Sequence, residues 1–141
     1  MSSVTAHFDL PLDAAAPGWA RTAVTAVLGG WGLRDRAWLD DAAVVVSELV
    51  GNAVRHGGGQ IVVDVEAYGR QVIVSVADGS SVVPRPRDPD GTGGLGLRIV
   101  ESLTVRWYVE SHQGGKRVRA ELLSSPGDGV TEAGTSRTEP S

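Results

Sequence analysis

The sequence predicts an α+β domain, a two-layer sandwich in which a mixed or antiparallel β-sheet is covered on one face by about three α-helices. Three observations lead there. Several short stretches alternate apolar and polar residues with a period of two, and most of them fall in pairs joined by Gly-containing turns. Two longer stretches repeat their apolar residues at helical spacing instead. The elements run β-α-α-β-β-loop-α-β-β, which lacks the regular strand–helix alternation of a parallel sheet.

Each element has its own signal. Val4, Ala6, Phe8 and Leu10 alternate with Thr5, His7 and Asp9, which marks a half-buried strand ended by Pro11. Asp13 stands where a cap would open a helix running to about Leu28, with Gly29 and Gly30 as its stop. Trp19, Ala23, Val24, Val27 and Leu28 are its expected buried stripe. A second helix is expected from about Arg34 to Arg55. Its run Val44-Val45-Val46 favours a strand, but Trp38, Ala42, Val45, Val46, Leu49 and Ala53 recur at helical intervals over a length no strand has.

Gly57, Gly58 and Gly59 stop that helix, and a hairpin follows. Ile61, Val63, Val65 and Ala67 point one way, Tyr68-Gly69-Arg70 turns the chain, and Val72, Val74 and Val76 line the return strand. Residues 79–93 form a loop of the length of a lid or binding loop. A helix is expected over 94–103, then a second hairpin, 105–111 and 116–123, around Gln113-Gly114-Gly115.

The 141 residues fit one core, so residues 1–123 are expected to form a single domain. From Ser124 onward Ser, Gly, Pro, Thr and Glu dominate, and residues 124–141 are expected to be a disordered tail. A net charge of −4 argues against a nucleic-acid partner held by a broad basic surface. No apolar run approaches the roughly 18 residues of a membrane span. The start of the chain lacks the basic-then-apolar pattern of a signal peptide, and there is no cysteine for disulfides or thiolate metal sites. A cytoplasmic protein is expected.

One constellation carries chemistry. At 100° per residue Asp41, Glu48, Asn52 and Arg55 fall within about 60° of one another, a polar line on the shoulder of the apolar stripe. Glu48 can take a proton from an attacking hydroxyl. The side-chain oxygen of Asn52, one turn on, suits Mg²⁺, which prefers oxygen ligands and keeps several waters. Asp78 ends a strand, where its carboxylate can accept from an exocyclic amine. Gly93, Gly94 and Gly96 let backbone N–H groups approach a phosphate at a helix start. The glycine cluster is not a Walker loop, because no Gly-Lys-Ser/Thr follows.

Taken in order, Glu48-x-x-x-Asn52, Asp78 behind a valine-rich strand, a lid-length loop and Gly94-Leu95-Gly96-Leu97 opening a helix resemble the Bergerat-fold ATPases. That superfamily includes gyrase B, heat-shock chaperones and histidine kinases. The small single-domain anti-sigma-factor serine kinases are the branch most similar, over roughly residues 4–123. The resemblance implies ATP and Mg²⁺ as cofactors, Glu48 as catalytic base, Asn52 as metal ligand and Asp78 as adenine reader. Ser80, Gly93, Gly94, Leu95, Gly96 and Leu97 would complete the nucleotide site. It also implies a serine or threonine kinase that phosphorylates an antagonist protein and sequesters a sigma factor or similar partner, as a possible homodimer, with neither nucleic acid nor membrane as partner. The alternative is a nucleotide-gated binding module without turnover. A sensor histidine kinase fits least, since no dimerisation helix is expected before Asp9 or after Leu123.

Two features depart from the family pattern. Ser80 stands where a glycine is usual, with glycine at Gly79 instead, and Arg117 stands where a small hydroxyl residue is commoner.

Overall fold

The structure, a computed structural model, describes residues 3–56, 58–80, 94–127, 129 and 130. Among these the elements are β1 (Val4–Leu10), α1 (Ala16–Gly30), α2 (Arg36–His56), β2 (Ile61–Tyr68), β3 (Gln71–Asp78), α3 (Gly94–Leu103), β4 (Thr104–His112) and β5 (Gly115–Leu122). The five strands form one sheet in the order β1-β2-β3-β5-β4, and every pairing is antiparallel.

Period-two alternation decides which face of the sheet is covered. Ile61, Val63, Val65 and Ala67 on β2, Val72, Val74 and Val76 on β3, and Val118, Ala120 and Leu122 on β5 are all buried. Charged residues take the opposite phase and form the open face, where Arg117 meets Glu110 and Arg106 meets Glu121. On the covered face, α2 packs on β2, β3 and β5, α1 lies along α2, and α3 packs against α2 and β4.

The helices differ from expectation in their details. The buried seam of α1 is Ala16, Ala20, Val24 and Leu28, and Trp19 is half exposed. Alanines take the first half of the seam, where Trp19 lies on the outer flank. Trp31 and Trp38 are in the core, and Trp107 packs partly against it. Asp13 does not cap α1 through its side chain; its carboxylate accepts from the Ala15 N–H at 2.7 Å, in the turn before the helix. Asp35 is the effective cap of α2, where Oδ2 accepts from the Trp38 N–H at 2.9 Å.

The segment beyond Leu123 is not free of the domain. The Trp38 indole N–H donates to the Leu123 carbonyl at 2.7 Å. The Ser125 N–H bonds to the Arg70 carbonyl at 3.1 Å, and the Val130 N–H to the Gly69 carbonyl at 2.7 Å. Ser125 is fully buried. Residues 124–127, 129 and 130 thus carry backbone bonds to the domain. They lie over the β2–β3 turn, because that turn leaves carbonyls facing them that need donors. Residues 131–141 lie outside the described residues. No helix among the described residues is long and apolar enough to cross a membrane.

Candidate functional site

On α2, Glu48 and Asn52 stand one turn apart, and the two are tied: the Asn52 Nδ2 donates to the Glu48 carbonyl at 3.2 Å. Asn52 is buried rather than on a half-exposed shoulder, while Glu48 is half-buried. The Glu48 carboxylate has no hydrogen-bond or ion-pair partner among the described residues. Arg55, in the next turn, donates from Nη2 to Asn52 Oδ1 at 3.2 Å. That amide oxygen keeps a second lone pair. Asp41, the first member of the polar line, is exposed.

The chain leaving α2 is fastened to the end of β3. The Gly79 N–H donates to the Gly58 carbonyl at 2.7 Å. This clasp sets the C-terminal end of α2 beside the strand end that carries Asp78. It also explains the glycine at 79, because a Cβ there would lie 2.8 Å from the Gly58 carbonyl oxygen. Gly115 is constrained in the same way: a Cβ on it would run into the Asp78 carbonyl oxygen and lie 2.7 Å from the Gly79 Cα. Backbone therefore packs on backbone at this corner of the sheet.

Asp78 and Lys116 face each other in register across β3 and β5. Both point to the covered side of the sheet, and the lysine Nζ reaches both carboxylate oxygens, at 3.0 and 2.9 Å. The Asp78 side chain is 1% exposed and that of Lys116 5%. Asp78 Oδ1 also accepts from the Ser80 N–H at 2.7 Å, an Asx-type turn that fixes the carboxylate and places Ser80 beside it. Ion pairing of this kind offsets the desolvation of both groups, and losing one partner would leave a buried charge uncompensated.

The predicted phosphate loop is described only in part. Gly94, Leu95 and Gly96 form the first turn of α3, and Leu97 is buried at 2% exposure, so its side chain serves packing. Gly93 and most of the lid-length loop lie outside the described residues. A cavity of about 220 Å³ beside the clasp is lined by Val62, Ala77, Gly79 and Gln113 among others; Val62 and Ala77 take the open-face phase of their strands, so it lies on the other side of the sheet from the Asp78 carboxylate.

The structure thus brings together the end of α2, the end of β3 and Ser80. Sequence reading missed Lys116. Its signal was present: Lys116, Val118, Ala120 and Leu122 alternate on the apolar phase of β5, and Lys116 is the only lysine in the chain.

The model of the family described as the histidine kinase-like ATPase domain matches residues 10–122. The chain belongs to that family. As a histidine kinase-like ATPase domain, its implied ligand is ATP. Among solved structures, that of the RsbU and RsbW domains of Rv1364c from Mycobacterium tuberculosis has a TM-score of 0.68 and 23% identity, covering 91% of this chain and 34% of that one. The histidine kinase domain of the Erythrobacter litoralis EL346 blue-light activated histidine kinase gives a TM-score of 0.48 and 22% identity, covering 80% of this chain and 61% of that one. This histidine kinase-like ATPase domain therefore spans about a third of the first of those chains. No curated protein matches its sequence.

Proposed function

We propose that the chain is an ATP- and Mg²⁺-dependent regulatory protein serine/threonine kinase of the anti-sigma-factor type. In this reading it phosphorylates a small antagonist protein and sequesters a sigma factor or similar partner. The observation that carries the proposal is the half-buried carboxylate of Glu48, without a partner among the described residues, one turn from the buried amide of Asn52 on a helix whose end is clasped to the strand bearing Asp78.

Asn52 Oδ1 suits Mg²⁺, which takes one or two protein oxygens together with waters and nucleotide phosphates. The residues that would hold ATP are Asp78 and Ser80 at the base and Gly93, Gly94, Leu95, Gly96 and Leu97 at the phosphates, with the N-terminal amides of α3 favouring anions. Bound there, ATP supplies the phosphoryl group, and Mg²⁺ neutralises its charge. Glu48 accepts the proton of the attacking serine or threonine hydroxyl. Arg55 holds Asn52 in place from the next turn. The reading includes a homodimer, for which β1, an edge strand among the described residues, offers a row of backbone groups.

The test is transfer from γ-labelled ATP with Mg²⁺ to candidate antagonists. Glu48→Ala should lower labelling of a hydroxyl residue by roughly 10²- to 10⁴-fold, the usual contribution of a positioned base. Equal labelling by wild type and variant would remove Glu48 from the chemistry.

A second reading, a nucleotide-gated binding module without turnover, is favoured by one observation. Arg55 already occupies a lone pair of Asn52 Oδ1. Calorimetric ATP binding with no transfer to any captured partner supports that reading, and detectable transfer excludes it.

A further inference from the structure

We propose that Lys116 sets the affinity and base selectivity of the nucleotide site, by competing with the base for Asp78. This rests on the reading of Asp78 as the carboxylate that meets the base. Both oxygens of Asp78 are in use: Oδ1 accepts from the Ser80 N–H and the Lys116 Nζ, and Oδ2 from the same Nζ. Lone pairs alone would not exclude a newcomer, because a carboxylate has about four acceptor sites. Position does: the lysine Nζ spans both oxygens of a side chain that is 1% exposed, so an exocyclic amine that bonds to Asp78 competes with the lysine.

The ammonium also changes what the site presents. It has three donors and no acceptor. Beside it, an adenine amine meets another donor, whereas the carbonyl that guanine carries at the same position meets a partner. Lys116 therefore weakens ATP binding and erodes the preference for adenine that a bare aspartate would give. Gly115 packs on the Asp78 and Gly79 backbone, which holds the backbone of Lys116 in register opposite Asp78.

The experiment compares ATP and GTP binding, with Mg²⁺, by calorimetry on the full chain, for wild type, Lys116→Met and Asp78→Asn. The expected result is that Lys116→Met binds ATP roughly 10- to 100-fold tighter, the worth of one hydrogen bond to a charged group, with a larger ratio of ATP to GTP affinity. If folded Lys116→Met binds ATP equally or more weakly, the proposal is overturned. In that case loss of binding in Asp78→Asn still upholds the reading of Asp78. If neither wild type nor Lys116→Met binds ATP, both the proposal and that reading fall.

Removing one partner of a buried ion pair can unfold the chain. Should circular dichroism show Lys116→Met unfolded, the wild type decides. Lysine labelled with ¹⁵N gives a single side-chain ammonium signal, because the chain has one lysine. A shift or loss of that signal at ATP saturation supports the proposal, and an unmoved signal overturns it.

Discussion

Gly115 and Gly58 sit within a few residues of the same corner, yet they answer to different constraints. A methyl group on Gly115 collides with the backbone of Asp78 and Gly79, whereas one on Gly58 meets nothing within 4 Å. Gly115→Ala should therefore cost about 1–3 kcal/mol of stability, the usual range for overpacking. Gly58→Ala should stay within about 0.5 kcal/mol. Urea denaturation followed by tryptophan fluorescence measures both, and equal costs would contradict the packing described here. At this scale the sequence was partly legible. Glu48, Asn52 and Asp78 stand out by type and spacing. The Asp78–Lys116 pair does not, because it depends on β3 lying next to β5, a neighbourhood that crosses α3 and β4 and leaves no mark in local spacing. What was readable is that both residues fall on the apolar phase of their strands.

Elements were more legible than their contacts. Alternation placed all five strands, and α3 runs over the expected residues 94–103. Trp19 departs from expectation because helical spacing alone cannot tell an apolar residue on the outer flank from the buried seam of Ala16, Ala20, Val24 and Leu28. At the edge of the sheet, His7 Nδ1 lies 2.8 Å from Asp64 Oδ1 and its Nε2 3.2 Å from Asp9 Oδ1. The hydrogen bond and charge of Asp64, with Asp9 adding less, raise the His7 pKa above its ordinary 6.5. Its contribution to holding β1 on β2 is thus fully present below that ordinary value and lost as pH rises through the folded-state midpoint. Asp64→Asn should bring the His7 midpoint down in an NMR titration, and an unchanged midpoint would leave the raised value without its cause. The segment after β5 makes a separate prediction. Ending the chain at Leu123 removes two backbone hydrogen bonds and the buried Ser125, and should cost about 1–3 kcal/mol by urea denaturation. Its low apolar content hid this, because the segment is fastened by backbone groups that every residue carries.

For the molecule as a whole, a ligand bound only by the folded state stabilises it by mass action. Mg²⁺ with ATP at about a hundred times its Kd should add about 2.7 kcal/mol to the unfolding free energy. Chemical denaturation with and without nucleotide checks this, and no change at saturating ATP would count against nucleotide binding altogether. The covered face and the helical layer were legible from periodicity, while the clasp between α2 and β3 was not, since it is one backbone bond between two loops. The β2–β3 hairpin has the clasp at one end and the Gly69–Arg70 turn at the other. With strands of eight residues, those ends are about 23 Å apart. Tension drawn through the C-terminal side consequently arrives at Gly69 and Arg70 first. It would peel Val130 and then Ser125 away before any strain reached the corner where Asp78 is held.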